Sequence, residues 1–85
     1  MNRYLPVIKI EVKLYTVLKK FANGKILEDN SIVLPKGSTL QELINFLGIP
    51  NNISTIFLVN NTPQCKEYIL CRGDKVKIFS FICGG

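Results

Sequence analysis

Few groups in this sequence are equipped for chemistry: three cysteines, Cys65, Cys71 and Cys83, and the carboxylate of the closing pair Gly84-Gly85. At a background of ~7% glycine, two specified positions are both glycine in roughly one chain in 200, so the pair draws its meaning from its position. Lacking a Cβ, a terminal Gly-Gly can lie extended in a narrow channel and bring its carboxylate to a nucleotide phosphate, where any side chain would clash. The plain alternative is a frayed end without a role. The cysteines are odd in number, show no C-x-x-C spacing and have no histidine beside them, which argues against a disulfide framework or a zinc site and fits a reducing compartment. Without histidine, Ser-His and Cys-His nucleophiles are excluded, while lysine or carboxylate catalysis stays open.

An 85-residue chain is expected to be one domain, burying only roughly 60–65% of the surface its unfolded form exposes, so its core must be thin. Its 47% hydrophobic and 20% charged residues suit a folded domain rather than a disordered one. The start, Met1-Asn2-Arg3-Tyr4-Leu5-Pro6, lacks a signal-peptide pattern, and runs such as Ile56 to Val59 are far too short to span a membrane, so the expected location is cytoplasmic. A net charge of +5 raises nucleic acid as a partner. The lysines are scattered, however, with only Lys19-Lys20 adjacent, and read as a solvated surface rather than a binding stripe.

The elements that must position the terminus follow from periodicity. Ile8, Ile10, Val12 and Leu14 alternate with Lys9, Glu11, Lys13 and Tyr15, predicting a half-buried strand. A second extended segment over Ile26 to Leu34 would pair with it through a connection containing Asn23-Gly24, with Phe21 and Ala22 tucked onto the core. Ser38 with Gln41 and Thr39 with Glu42 both have capping-box spacing. Leu40, Leu43, Ile44 and Leu47 form the apolar stripe of a helix that Gly48 and Pro50 end. Ile56 to Val59 predicts a third strand, closed by a turn at Asn60-Asn61-Thr62-Pro63 in which Asn61 tolerates a positive φ. A short extended piece near Tyr68 to Cys71 leads to the turn Arg72-Gly73-Asp74 and a last strand, Lys75 to Phe81. Arg-Gly-Asp is here read as a β-turn, not an adhesion signal.

This order predicts an α+β architecture, a mixed sheet of four to five strands with one main helix on one face. The other face must meet solvent or a partner. With Leu58, Val76 and Ile78 taken as inward, Phe57, Val59, Phe79 and Phe81 are expected on that open face as a partner surface, the alternative being that some fold under the loops.

The segments Val12 to Tyr15, Ile32 to Thr39, Leu47 to Pro50, Leu58 to Asn61, Gly73 to Val76 and the terminal Gly84-Gly85 together resemble the MoaD/ThiS family of ubiquitin-like sulfur carriers, in the right order along nearly the whole chain. The resemblance implies a β-grasp domain over residues 1–81 with a flexible tail at 82–85. It also implies an E1-like enzyme that adenylates the terminal carboxylate with ATP, and conversion of the acyl adenylate to a thiocarboxylate. Gly85 would carry the sulfur and Gly84 would provide access. The chain itself would be a carrier without catalytic groups or bound cofactor, working with a sulfur donor such as a cysteine desulfurase or rhodanese-like protein and with the large subunit of an acceptor synthase.

Two features depart from the molybdopterin branch: Phe81-Ile82-Cys83 stands where proline and a small residue are common, and Asn61 replaces a turn glycine. The ending Phe79-Ser80-Phe81 nevertheless leans toward molybdopterin over thiazole. Other acceptors within the family are the thiamine thiazole, cysteine, or the lysines of proteins modified as by ubiquitin. A basic nucleic-acid-binding module is the reading from another class.

Overall fold

The computed structural model describes residues 6–22, 24, 26 and 29–80. Phe81, Cys83, Gly84, Gly85 and the whole 82–85 segment lie outside the described residues, as does Asn23.

Strand β1 (Val7–Leu14) buries every even-numbered residue and exposes every odd one, as its alternation demands. It pairs antiparallel with β2 (Ser31–Pro35), in a register that sets Ile8 beside Leu34 and Ile10 beside Ile32. The predicted second strand was too long at its start. Asp29 accepts hydrogen bonds from the Ser31 amide and hydroxyl, and Asn30 has a φ of 66°, so the backbone is turning where extension was expected. Between the two strands a 3-10 helix (Thr16–Ala22) buries Leu18, with Phe21 and Ala22 packed against the core.

Helix α1 (Leu40–Leu47) starts at Thr39, whose hydroxyl accepts from the Glu42 amide at 3.2 Å while the Glu42 carboxylate accepts from the Thr39 amide at 2.9 Å. The second possible box is not used, because the Ser38 hydroxyl donates to the Pro35 carbonyl instead. Leu40, Leu43, Ile44 and Leu47 are all buried, each contributing about 1.5–3 kcal/mol of burial energy. Gly48, at φ 80°, ends the helix in the left-handed region.

Strand β3 (Thr55–Val59) turns through Asn60 and Asn61, both at positive φ, into β4 (Thr62–Gln64). This two-residue turn has the twist that suits a hairpin. The fourth strand therefore starts at Thr62, which the sequence reading assigned to the turn; the expected extended piece near Tyr68 makes only a single bridge, Ile69 to Thr39. Strand β5 (Lys75–Ser80) completes a five-stranded sheet in the order β2-β1-β5-β3-β4. It runs parallel to β1 and antiparallel to β3, and α1 packs its apolar stripe into the common core. This is the expected α+β, β-grasp arrangement.

One buried carboxylate joins three segments at the start of β5. Asp74 accepts from the Asn60 side-chain amide at 3.0 Å, from the Tyr68 hydroxyl at 3.0 Å and from the Cys71 backbone amide at 2.9 Å. The Asn60 carbonyl oxygen in turn accepts from the Lys75 amide. Burial, reinforced by the Asp74 carboxylate, pushes the Tyr68 phenol above its usual range and so keeps it a donor.

Candidate functional site

The face of the sheet away from α1 is built by the odd-numbered residues of β1 and β5 and, through register, by the even-numbered ones of β3. Phe79 stands opposite Ile56, and Lys77 opposite Leu58 on one side and Lys13 on the other. Directly cross-strand neighbours share a face, so Ile56 and Leu58 follow Phe79 and Lys77 outward. Ile56 is 45% exposed, while Leu58 and Phe79 are half-buried. Tyr15, one residue past β1, stacks on Phe79 with ring centroids 4.4 Å apart and planes at 14°. Tyr15, Phe79 and Ile56 thus form an apolar row at the end of the sheet to which β5 runs, and Leu58 extends the patch into the next row, which it shares with Lys77 and Lys13.

The same register corrects the sequence-based assignment of faces. Phe57 pairs with Ile78 and Val59 with Val76, and these inward partners carry both residues into the core, where only 4% of Phe57 and 2% of Val59 is exposed. Leu58, expected inward, lies on the open face. Of the four residues expected on that face, Phe79 is there, Phe57 and Val59 are not, and Phe81 lies outside the described residues. Tyr15, Ile56 and Leu58 were missed. Tyr15 belongs to the outward series of β1 and could have been found from alternation alone; Ile56 and Leu58 needed the register.

The exit of β5 is held by side chains. The Thr16 hydroxyl donates to the Tyr15 carbonyl at 2.7 Å and lies 2.9 Å from the Ser80 hydroxyl, which is left to donate to it. Thr16 has a φ of 54°, an unfavourable region for a β-branched residue, and these two hydrogen bonds help to hold it there. The last described residue of β5 is in this way tied to the end of β1. Cys65 and Cys71, both free thiols, lie exposed on the segment between β4 and β5, outside the patch.

Residues 12–85 match the model of the ThiS family, the span running from the middle of β1 through Gly85. The chain belongs to the ThiS family. Among solved structures, the ThiS-family chain is similar to a putative molybdopterin converting factor subunit 1 from Pyrococcus furiosus, at 19% identity and a TM-score of 0.68, covering 88% of this chain and 99% of that one. It is also similar to the small archaeal modifier protein 1 of Haloferax volcanii, at 14% identity and a TM-score of 0.62, covering 85% and 95%. A third likeness, to the Haloferax volcanii HVO 2177 protein, has 14% identity and a TM-score of 0.67 over 100% and 93%. At these identities the structures speak for the fold. No curated protein sequence matches. The ThiS family is one of ubiquitin-related sulfur carriers whose members are carriers rather than enzymes. No helix among its described residues is long and apolar enough to cross a membrane.

Proposed function

We propose that Gly85 is the working group: its carboxylate is adenylated by an E1-like enzyme using ATP and converted to a thiocarboxylate, with Gly84 providing a side-chain-free approach and residues 82–85 acting as the tail. The observation that carries this reading is the family match running through Gly85, five residues beyond the central strand β5. A carboxylate is a poor acyl donor, whereas its adenylate has a good leaving group, AMP, that a persulfide from a desulfurase or rhodanese-like donor displaces to give an acyl disulfide. A partner thiol then attacks the donor sulfur of that disulfide, forming a disulfide between the two partner sulfurs and releasing the thiocarboxylate. Every catalytic group in this scheme belongs to a partner. The patch of Tyr15, Phe79, Ile56 and Leu58 would dock the activating enzyme or an acceptor synthase subunit beside the pocket that receives the tail, reducing the ordering cost of the reaction.

The acceptor is proposed to be a molybdopterin precursor. The description of the Pyrococcus protein supports that choice, as does the Phe79-Ser80-Phe81 ending. The test is an intact-mass measurement on protein purified from its own cell, where one terminal oxygen replaced by sulfur is the expected result. In parallel, removal of Gly85 should abolish ATP-pyrophosphate exchange by the partner enzyme while the melting curve stays unchanged. Equal exchange by truncated and complete chains would overturn the proposal, and a persistent isopeptide to lysines of other proteins would select use as a modifier.

A further inference from the structure

We propose that the end of the molecule opposite β5's exit carries a second docking site, for an extended acidic segment of another protein that adds to β1 as a short strand. Strand β5 begins beside Glu11, so the first residues of β1 have β2 on one side and, among the described residues, no strand on the other. The phase of the ladder settles where their backbone groups point. The Pro6 carbonyl accepts from the Lys36 amide and the Val12 amide donates to the Asn30 carbonyl, both on the side of β2, so even-numbered residues face β2 and odd-numbered ones face away. On that far side the Lys9 carbonyl accepts from Gly73 and the Glu11 amide donates to the Asp74 carbonyl. The amide and carbonyl of Val7 and the amide of Lys9 point the same way, and no partner for them stands among the described residues. Three backbone groups in strand geometry are thus left for pairing by the described residues.

They open onto a groove of about 530 Å³ between β1, the turn at Lys36-Gly37 and the segment Ile69 to Arg72. Its apolar wall includes Val7, 46% exposed, and Ile69, 59% exposed, which a bound side chain would cover. Lys36 and Arg72 stand at its rim, and neither has a carboxylate partner among the described residues, where the one ion pair is Lys9 with Asp29. The nearby Asp74 carboxylate is buried and accepts from three donors of its own. Open backbone groups, an apolar wall and unanswered positive charge together fit a segment with branched apolar residues flanked by aspartate or glutamate. Main-chain pairing would supply affinity, and the wall and rim would supply selectivity.

The position gives the site a use. Strand β5 runs from this end toward the tail over about 20 Å at ordinary strand rise. A partner in the groove therefore leaves the open-face patch and the chain end free, allowing one carrier molecule to be held by one protein while it is processed by another. This inference stands on the groove alone and does not depend on the chemistry proposed for Gly85.

The probe is a short synthetic peptide with a Val-Ile-Val centre between pairs of aspartates, titrated into the isotopically labelled full chain by NMR. Shifts should centre on the amides of Val7, Lys9, Ile69 and Arg72, with slower hydrogen exchange at Val7 and Lys9. The double variant Lys36→Glu with Arg72→Glu should weaken binding by about tenfold or more, because both rim charges are reversed. Val7→Pro should abolish binding with the fold retained, since it removes an amide that the β1–β2 ladder does not use. If that variant unfolds, Ile69→Asp serves instead, placing a carboxylate on an exposed part of the wall. Equal affinity for a peptide with lysines in place of the aspartates, shifts confined to the Phe79 face, or no shift at all would overturn the proposal.

Discussion

The ring of Tyr15 lies nearly parallel to that of Phe79 where β1 and β5 end, so Phe79, expected on the open face as part of a partner surface, stands there stacked on a residue that the expected surface did not include. Such a stack contributes about 0.5–1.5 kcal/mol beyond its buried area, and it holds Phe79 in one orientation before any partner arrives. Phe79→Ala should accordingly weaken binding to the activating or acceptor enzyme by about 2 kcal/mol while lowering stability less. Phe57→Ala, which empties a buried site, should do the reverse and cost about 3–5 kcal/mol of stability. Calorimetric titration beside thermal denaturation separates the two variants. Equal melting temperatures for them would contradict the assignment of faces.

Asp74→Asn tests the buried carboxylate that joins the β3–β4 turn to the start of β5. An asparagine can turn its oxygen toward Tyr68 and Cys71 only by setting its own amide against that of Asn60, so at least one donor loses its acceptor. The expected loss is about 1–3 kcal/mol in denaturant titration. Removing Asn60 as well should make the effects less than additive, because the two mutations share one interaction. Full additivity would show that the pair is not coupled.

Asn61→Gly should leave stability unchanged or raise it by up to about 1 kcal/mol, because φ at this position is 69° and glycine meets no steric cost there. The long hydrogen bond from Lys77 to the Asn61 side chain, at 3.5 Å, is little to lose. Asn61→Val, by contrast, should lower the melting temperature clearly, since a β-branched residue resists positive φ.

Hydrogen bonds from the Ser31 hydroxyl and amide, aided by the nearby Lys9 charge, hold the Asp29 carboxyl below the usual carboxylate range. With the folded pKa depressed, the contribution of Asp29 is present above its unfolded pKa and is lost as pH falls through the lower folded value. Exchange of the Ser31 amide should quicken across that acid window, and Asp29→Asn should remove the dependence. A wild-type profile that the variant reproduces would assign the acid response to another group.

The strands and helix that obey one periodicity were legible in the sequence. Strand β1 alternates without exception, and α1 carries its cap, stripe and stop within Thr39 to Gly48, so short-range chemistry alone defines both. Strand β3 could be recognised but not oriented. Ile56, Phe57, Leu58 and Val59 are apolar on either face, and only pairing with Val76 and Ile78, far along the chain, decides which pair turns inward. Strand β4 went unseen because Thr62-Pro63-Gln64 is short and carries a proline, which an edge strand accepts and a pattern search rejects. The groove beside Val7 left no sequence signal, since it arises where one strand starts later than its neighbour.

The central place of β5 also bears on how the chain folds. Hairpins β1–β2 and β3–β4 join near neighbours, but within the sheet of described residues they are joined by β5, whose Ser80 touches Thr16 across 64 positions of sequence. Closing so long a loop costs entropy before any contact repays it, so folding is expected to be slower than that of helical bundles, whose contacts are local. Until β5 inserts, β1 and β3 each present a raw edge to other chains, so crowding during refolding should favour aggregates or swapped dimers that exchange β5.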